Sequence, residues 1–304
     1  MAFTKLAQTF DYLKDKPKKK LVAVYANDDH TICAVNDAVN LGIIEGVLVG
    51  NKAEIEKVCL KEKIEIEKFT IIQESDELKA ALHACDLINA GEGDFIMKGL
   101  LSTDKYMRAI LNKERGLMNK NAVLSHVTVF EIPSYHKLII AGDVAIIPAP
   151  DLNQKIAITN YLIDTAHALG IEQPKVGLLA ASEQTLPKMQ ACVDAAVIAK
   201  MSERNQIKNA LVDGPLAFDL MVDPESVKIK KLVSPVAGDV DCILFPNIES
   251  GNVFYKSMTR FAGAELGALV VGARVPAILS SRGDSIQTKM YSIALGATLA
   301  FLKK

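Results

Sequence analysis

The sequence predicts an α/β protein made of two α/β domains, and three observations carry that expectation. Short continuous apolar runs recur along the chain, helical patterns of about ten or more residues lie between many of them, and the chain is 304 residues long. A short apolar run bounded by turn residues suits a strand buried on both faces, and its alternation with helices is the pattern of parallel βαβ units. The runs outnumber what one compact sheet holds, and this length corresponds to about two domains of about 150 residues.

The first element is a helix over residues 3–13, where Leu6, Phe10 and Leu13 recur at helical spacing; the basic run 14–20 around Pro17 ends it as a solvated loop. LVAVYA, residues 21–26, reads as a buried strand, polar NDDHT follows, and a helix covers 33–41. Further strands are expected at 47–50, 69–73, 95–99, 136–142, 175–180, 210–214, 242–246, 268–272 and 276–281. Two prolines interrupt the rhythm within 146–155, where a helix begins near Asp151, and this marks the domain boundary. A last helix over 285–302 carries Ile286, Met290, Ile293, Ala294, Ala297 and Phe301 on one face, so it must pack on a domain that the pattern does not identify.

Composition narrows the function. Lys and Arg number 35 against 36 Asp and Glu, interspersed, which leaves no basic face for nucleic acid and no polybasic membrane patch. Apolar stretches such as 266–271 are cut by charges, here at Arg274, far short of the roughly 20 residues a bilayer requires. The N-terminal positive charge follows the apolar residues, the reverse of a secretory signal, so a cytoplasmic protein is expected. Five widely spaced cysteines without a CxxC pair fit reduced thiols and no metal site. The absence of Trp disfavours a carbohydrate cleft.

In open α/β sheets ligands bind beyond the carboxyl ends of strands, where helix N-termini point free N–H groups outward. Four strand exits stand out. In PAILSSRGDSIQ a strand runs into Ser280, Ser281, Arg282 and Gly283; Asp284 then reads as an N-cap, with Gln287 completing a capping-box pattern. Arg282 beside the positive end of a helix is costly unless an anion joins it or Asp284 or a surface carboxylate pairs with it. In FIMKGLLSTDKYMRAIL, Lys98 ends a strand, Gly99 permits a turn, and Ser102 caps a helix bearing Lys105 and Arg108, a set that suits phosphate or an ordinary charged helix. FPNIESGNVFYKSM reads as a polar loop holding Asn247, Glu249, Ser250, Gly251 and Asn252, with Lys256 one turn beyond Asn252. The fourth exit, Asp213-Gly214-Pro215, has ordinary turn chemistry.

No GxxxxGK[ST], GxSxG or HExxH occurs, and GEGD at 91–94 precedes a strand and so fails the dinucleotide context. Of the scattered histidines His30, His83, His126, His136 and His167, His126 is the exception, because the polar pair Ser125-His126 opens an apolar run.

The strings MKGLLST, LSHVTVFEIP, APDLNQK, HALGIEQPKVGLLAA, KNALVDGPLAFD, SPVAGDVD, PNIESGNVFYKS and SSRGDS occur in this order from about residue 95 almost to the C-terminus. In these residues the chain resembles the phosphate acetyl/butyryl transferase family, and within it the phosphate butyryltransferase branch. The resemblance implies an isocitrate/isopropylmalate dehydrogenase-like fold, two α/β domains flanking a cleft. Domain I would comprise 1–148 plus 271–304 and the inserted domain II 149–270, with the last helix returning to domain I. It also implies a homodimer or higher homo-oligomer.

The implied reaction is reversible transfer of an acyl group, butyryl foremost, between coenzyme A and inorganic phosphate. Acyl-CoA and phosphate are then substrates, no cofactor is permanently bound, no metal is needed, and an acyl kinase of butyrate type is the functional partner. By the same resemblance Ser281 would hydrogen-bond the sulfur or carbonyl oxygen, and Arg282 would bind phosphate and developing charge. Arg108 would bind phosphate or a phosphate of coenzyme A, and Lys98, Ser102, Ser125, His126, Asn252 and Lys256 would line the substrate site. The acetyl branch places a carboxylate seven residues after the motif serine; here that position is Thr288, and Asp284 is the nearest substitute base, though as a helix cap its oxygen is committed to backbone N–H groups. The competing readings are a phosphate acetyltransferase, a metal- and NAD(P)-dependent dehydrogenase on the same fold, and a non-catalytic CoA-binding protein.

Overall fold

The computed structural model describes residues 2–279 and 285–302. Two compact units emerge, one of Ala7–Leu124 with Gly267–Lys304, the other of Met1–Leu6 with Ser125–Leu266.

The first unit opens with α1 (Gln8–Lys14), β1 (Lys19–Val24), α2 (Asp29–Asn40), β2 (Ile44–Gly50), α3 (Lys52–Glu62), β3 (Phe69–Gln73), α4 (Glu77–Asn89), β4 (Phe95–Lys98) and α5 (Thr103–Ile110). Leu21 to Val24 of β1 are wholly buried, the burial that a continuous apolar run requires. Asp28, Asn51, Asp76 and Ser102 cap α2, α3, α4 and α5, each accepting a backbone N–H from the first turn. The expected strand at 21–26 sits two residues earlier because Lys19 and Lys20 pair with Ile44 and Glu45, and the helix expected at 33–41 starts at Asp29 because Asp28 caps it.

The second unit contains β5 (Ser125–Glu131), β6 (Ile139–Gly142), α6 (Leu152–Ala168), β7 (Lys175–Leu179), α7 (Gln190–Glu203), β8 (Leu211–Leu216), α8 (Phe218–Val222), α9 (Pro224–Lys230), β9 (Cys242–Leu244) and α10 (Ile248–Phe261). Its strand order is β5-β6-β9-β7-β8, antiparallel only between β5 and β6. At the amino ends of these strands Lys137 pairs with Asp241 (2.7 Å) and Lys175 with Asp239 (2.7 Å). Burial pushes the Asp239 carboxyl upward, but hydrogen bonds from Lys175 and Lys137 outweigh it and hold the group at about 2.

The chain then enters β10 (Glu265–Val271), β11 (Ala277–Ile278) and α11 (Ile286–Leu299). In the first unit the strand order is β3-β2-β1-β4-β11-β10, with β11 parallel to β4 and antiparallel to β10. The last helix packs on α1 and α2. It is enclosed on all sides from Lys289 to Thr298, not on one apolar face, so the single-face expectation was too narrow.

The division at Leu124/Ser125 and Leu266/Gly267 differs from the expected cuts at 148/149 and 270/271. The reason is pairing: β5 hydrogen-bonds β6, and β6 hydrogen-bonds β9, so residues 125–148 travel with the inserted segment.

Candidate active site

Within the first unit, β4 ends at Lys98, which is 7% exposed and whose Nζ donates to the carbonyls of Gly99 (3.1 Å) and Leu101 (3.0 Å). Gly99 is required here, since a Cβ would stand 2.6 Å from the Val24 carbonyl oxygen and 2.7 Å from that of Tyr25. Ser102 Oγ accepts the Lys105 N–H at 3.3 Å, the cap anticipated for α5. Lys105 reaches Glu77 at 2.7 Å, and Arg108 pairs with Asp104 one turn back at 2.9 Å, both side chains largely exposed. Lys98, Ser102 and Arg108 therefore share one strand–turn–helix, with Lys98 bracing the turn and Arg108 at the surface.

Within the second unit, Ser125 and His126 open β5 beside a residue the sequence reading did not single out. Asp143 follows β6, is 2% exposed, and accepts five hydrogen bonds. Its Oδ2 takes Ser125 Oγ (2.8 Å) and the N–H groups of His126 (3.1 Å) and Ile147 (3.3 Å); its Oδ1 takes those of Ala145 (2.7 Å) and Ile146 (2.9 Å). Asp143 is the one charged residue within 138–147, and that isolation inside an apolar stretch was the available signal.

Burial drives the His126 imidazole toward its neutral form, and the Asp143 charge opposes this only in part. Its Nδ1 lies 3.3 Å from Thr128 Oγ1. Asn252 and Lys256 lie one turn apart on α10, so 248–252 is helix, capped by Asn247 through the Ser250 N–H, where the sequence reading expected a loop. Asn252 Nδ2 donates to the Val144 carbonyl at 3.2 Å, which ties α10 to the turn that Asp143 organises. Lys256 is exposed, its Nζ 4.7 Å from the centroid of the Tyr255 ring.

Ser281, Arg282 and Asp284 lie outside the described residues. Beyond them Ser285, not Asp284, is the N-cap of α11, accepting the Thr288 N–H at 3.1 Å, with Thr288 Oγ1 3.0 Å from Ser285 Oγ. Burial pushes the Cys85 thiol to about 12 and raises Cys33, Cys59 and Cys242, which suits none of these four to nucleophilic work. Among the described residues no group of three or more His, Cys, Asp or Glu is placed to hold a metal ion, and no helix is long and apolar enough to cross a membrane.

Polar turns and helix N-termini at the carboxyl ends of two sets of largely parallel strands are the setting in which α/β proteins hold anionic substrates. The sequence profile of the family described as "Phosphate acetyl/butaryl transferase" matches residues 75–297, and the chain belongs to that family. It is 43% identical over 288 residues to the phosphate butyryltransferase of Clostridium acetobutylicum, covering 95% of each chain. With the phosphate acetyltransferase of Thermotoga maritima it shares 38% identity over 282 residues, 93% of this chain and 95% of the other. The structure resembles that of a branched-chain phosphotransacylase from Enterococcus faecalis V583 at a TM-score of 0.81 and 29% identity, over 93% of this chain and 99% of that one.

Proposed function

We propose that this chain catalyses reversible transfer of a short-chain acyl group, butyryl foremost, between coenzyme A and inorganic phosphate. The observation that carries the reading is the 43% identity to a phosphate butyryltransferase along 95% of both chains. A phosphate oxygen attacks the thioester carbonyl carbon, the C–S bond of the tetrahedral adduct breaks, and the sulfur leaves as a thiolate that takes up the proton phosphate gives up. In reverse the thiol, with a pKa of ~8.5, must lose that proton before attacking acyl phosphate. Preorganised donors to the oxyanion are worth ~3 to 4 kcal/mol each.

In this reading Ser281 donates to the sulfur or carbonyl oxygen, Arg282 holds phosphate and the developing charge, and Asp284 is the nearest carboxylate to serve as base. Arg108 binds phosphate or a phosphate of coenzyme A. Lys98, Ser102, Ser125, His126, Asn252 and Lys256 complete the substrate site. The reading is supported by the placement of Lys98 and Ser102 at a strand exit and of Lys256 on an exposed helix face. It includes an isocitrate/isopropylmalate dehydrogenase-like homodimer or larger homo-oligomer acting in the cytoplasm, in short-chain fatty acid fermentation. An acyl kinase would consume its product.

The test is release of coenzyme A thiol from acetyl-, butyryl- and isobutyryl-CoA with and without phosphate. Phosphate-dependent release with the highest kcat/KM for butyryl-CoA is expected, and Arg282→Ala should abolish it while leaving the urea midpoint unchanged. No release from any C2 to C5 acyl-CoA rejects the reading. Phosphate acetyltransferase is the second reading, supported by the 38% identity to the Thermotoga maritima enzyme; since one methylene is worth about 1 to 3 kcal/mol, the kcat/KM series decides between them. NAD(P) reduction that needs a divalent cation would point to a dehydrogenase, and coenzyme A binding without turnover to a non-catalytic protein.

A further inference from the structure

His126 is held at two points within the second unit. Its N–H donates to Asp143 Oδ2 at 3.1 Å, and its Nδ1 lies 3.3 Å from Oγ1 of Thr128, two residues on along the same face of β5. The edge it occupies follows from the strand pairing. β5 runs antiparallel to β6 with Val127 opposite Gly142, and Gly142 in turn lies opposite Leu244, the last residue of β9. Leu178 of β7 also pairs with Leu244, so the amino end of β5 stands where three parallel strands finish. A Cβ on Gly142 would meet the His126 carbonyl oxygen at 2.8 Å, so the two segments lie in close contact. In an open α/β sheet this is the edge that binds ligands.

The hydrogen bonds choose the tautomer. Thr128 is wholly buried, and among the described residues its hydroxyl has His126 Nδ1 as its sole partner. Were Nδ1 to carry the proton, the hydroxyl would accept it and strand its own hydrogen inside the protein. With Thr128 Oγ1 donating, Nδ1 is the acceptor and the imidazole proton sits on Nε2. Burial drives the ring toward its neutral form, which disfavours a proton on both nitrogens.

The enclosed polar side-chain atoms without a partner, among the described residues, are Asp28 Oδ2, Asn36 Oδ1 and His167 Nε2. His126 Nε2 also has no partner but is not enclosed, so the 5% of its surface that His126 exposes includes this nitrogen. A fixed, uncharged N–H donor therefore opens outward at the strand ends. Phosphate is charged before any reaction and is held best by cations. A neutral donor suits an oxygen that is uncharged in the substrate and gains charge in the transition state.

We propose that His126 is a catalytic residue, its Nε2–H donating to the acyl carbonyl oxygen as that oxygen takes up negative charge in the tetrahedral adduct. This rests on the phosphate acyltransferase reading and supplies it with an oxyanion donor. A phosphate oxygen bonds to the carbonyl carbon while the π pair moves onto the carbonyl oxygen. That pair returns as the C–S bond breaks, the departing thiolate takes the proton phosphate gives up, and the Nε2 proton stays on nitrogen throughout.

Two amide variants separate this role from packing. Asn places its amide near the position of Nδ1, so His126→Asn keeps a partner for Thr128 and loses the outward donor; Gln places an amide N–H near the position of Nε2. His126→Asn is expected to lower kcat in thiol release about 100-fold or more, with the KM values for phosphate and butyryl-CoA within about threefold. His126→Gln should recover at least about tenfold of that loss. A kcat for His126→Asn within about threefold of wild type, equal losses in the two variants, or a loss confined to KM overturns the proposal. Nitrogen-15 NMR of wild-type imidazoles at neutral pH should show the His126 proton on Nε2, and butyryl-CoA added without phosphate should shift that resonance. A proton on Nδ1, or a resonance that does not move, overturns the proposal even if neither variant folds. Wild-type protein that releases no thiol from any C2 to C5 acyl-CoA rejects the acyltransfer reading and the His126 role with it; wild-type release with an unimpaired His126→Asn rejects the His126 role alone.

Discussion

The main-chain carbonyl of Asp143 occupies the space that a Cβ on Gly251 would need. α10 therefore lies directly on the turn after β6, and the Asn252 hydrogen bond to Val144 joins the two one residue further along each segment. Gly251→Ala should force that contact apart at a cost of about 1 to 3 kcal/mol. Asp143→Ala should cost more, on the order of 3 kcal/mol or above, because one hydroxyl and four N–H groups lose their acceptor inside the protein. Urea unfolding checks both, and midpoints indistinguishable from wild type would mean the turn is not what seats the helix.

His126 gives the protein a pH-dependent component of stability whose sign follows from burial. Its folded pKa lies below the usual value of about 6.5, so as pH falls the unfolded chain takes up a proton that the folded one refuses. This contribution is fully present above about pH 6.5 and is lost progressively as pH falls toward the lower folded value. His126→Gln, which cannot titrate, should lack it. The unfolding free energies of wild type and variant, measured from pH 8 to pH 5, should differ most at pH 8 and converge toward pH 5; parallel curves would exclude burial of a neutral His126.

Much of this architecture was legible because strands buried on both faces leave continuous apolar runs: LVAV at 21–24 and FIMK at 95–98 stand almost where the runs put them. β5 was not expected as a strand because it opens on Ser125-His126, and that pair is buried only through the acceptor Asp143 supplies from 18 residues away. The cut at 148/149 differed from the observed division for a related reason, since the pairing of β6 with β9 joins Ile140 to Cys242, a separation no local pattern reports. Around the candidate site, the motifs named residues at strand exits, while Asp143 carries no motif. Its role arises from burial, which decides whether a charge must find a partner.

Lys155 and Asp194 separate the worth of an ion pair from the cost of breaking it. Lys155 lies in the first turns of α6, behind the Asp151–Gln154 capping box, and reaches Asp194 of α7 at 2.6 Å with both side chains at most 7% exposed. Gln190 holds the other Asp194 oxygen at 2.7 Å, so the carboxylate is placed by two donors from different helices. Taking both charges out of water is expensive, and their attraction returns about as much as it costs; removing one partner leaves the other uncompensated. Lys155→Met and Asp194→Leu should each destabilise the protein by about 3 to 5 kcal/mol. The double variant should lie far closer to wild type than the sum of the two, because it strands no charge. A double-mutant cycle by urea unfolding measures the difference, and additive losses would show that the two side chains are buried independently of each other.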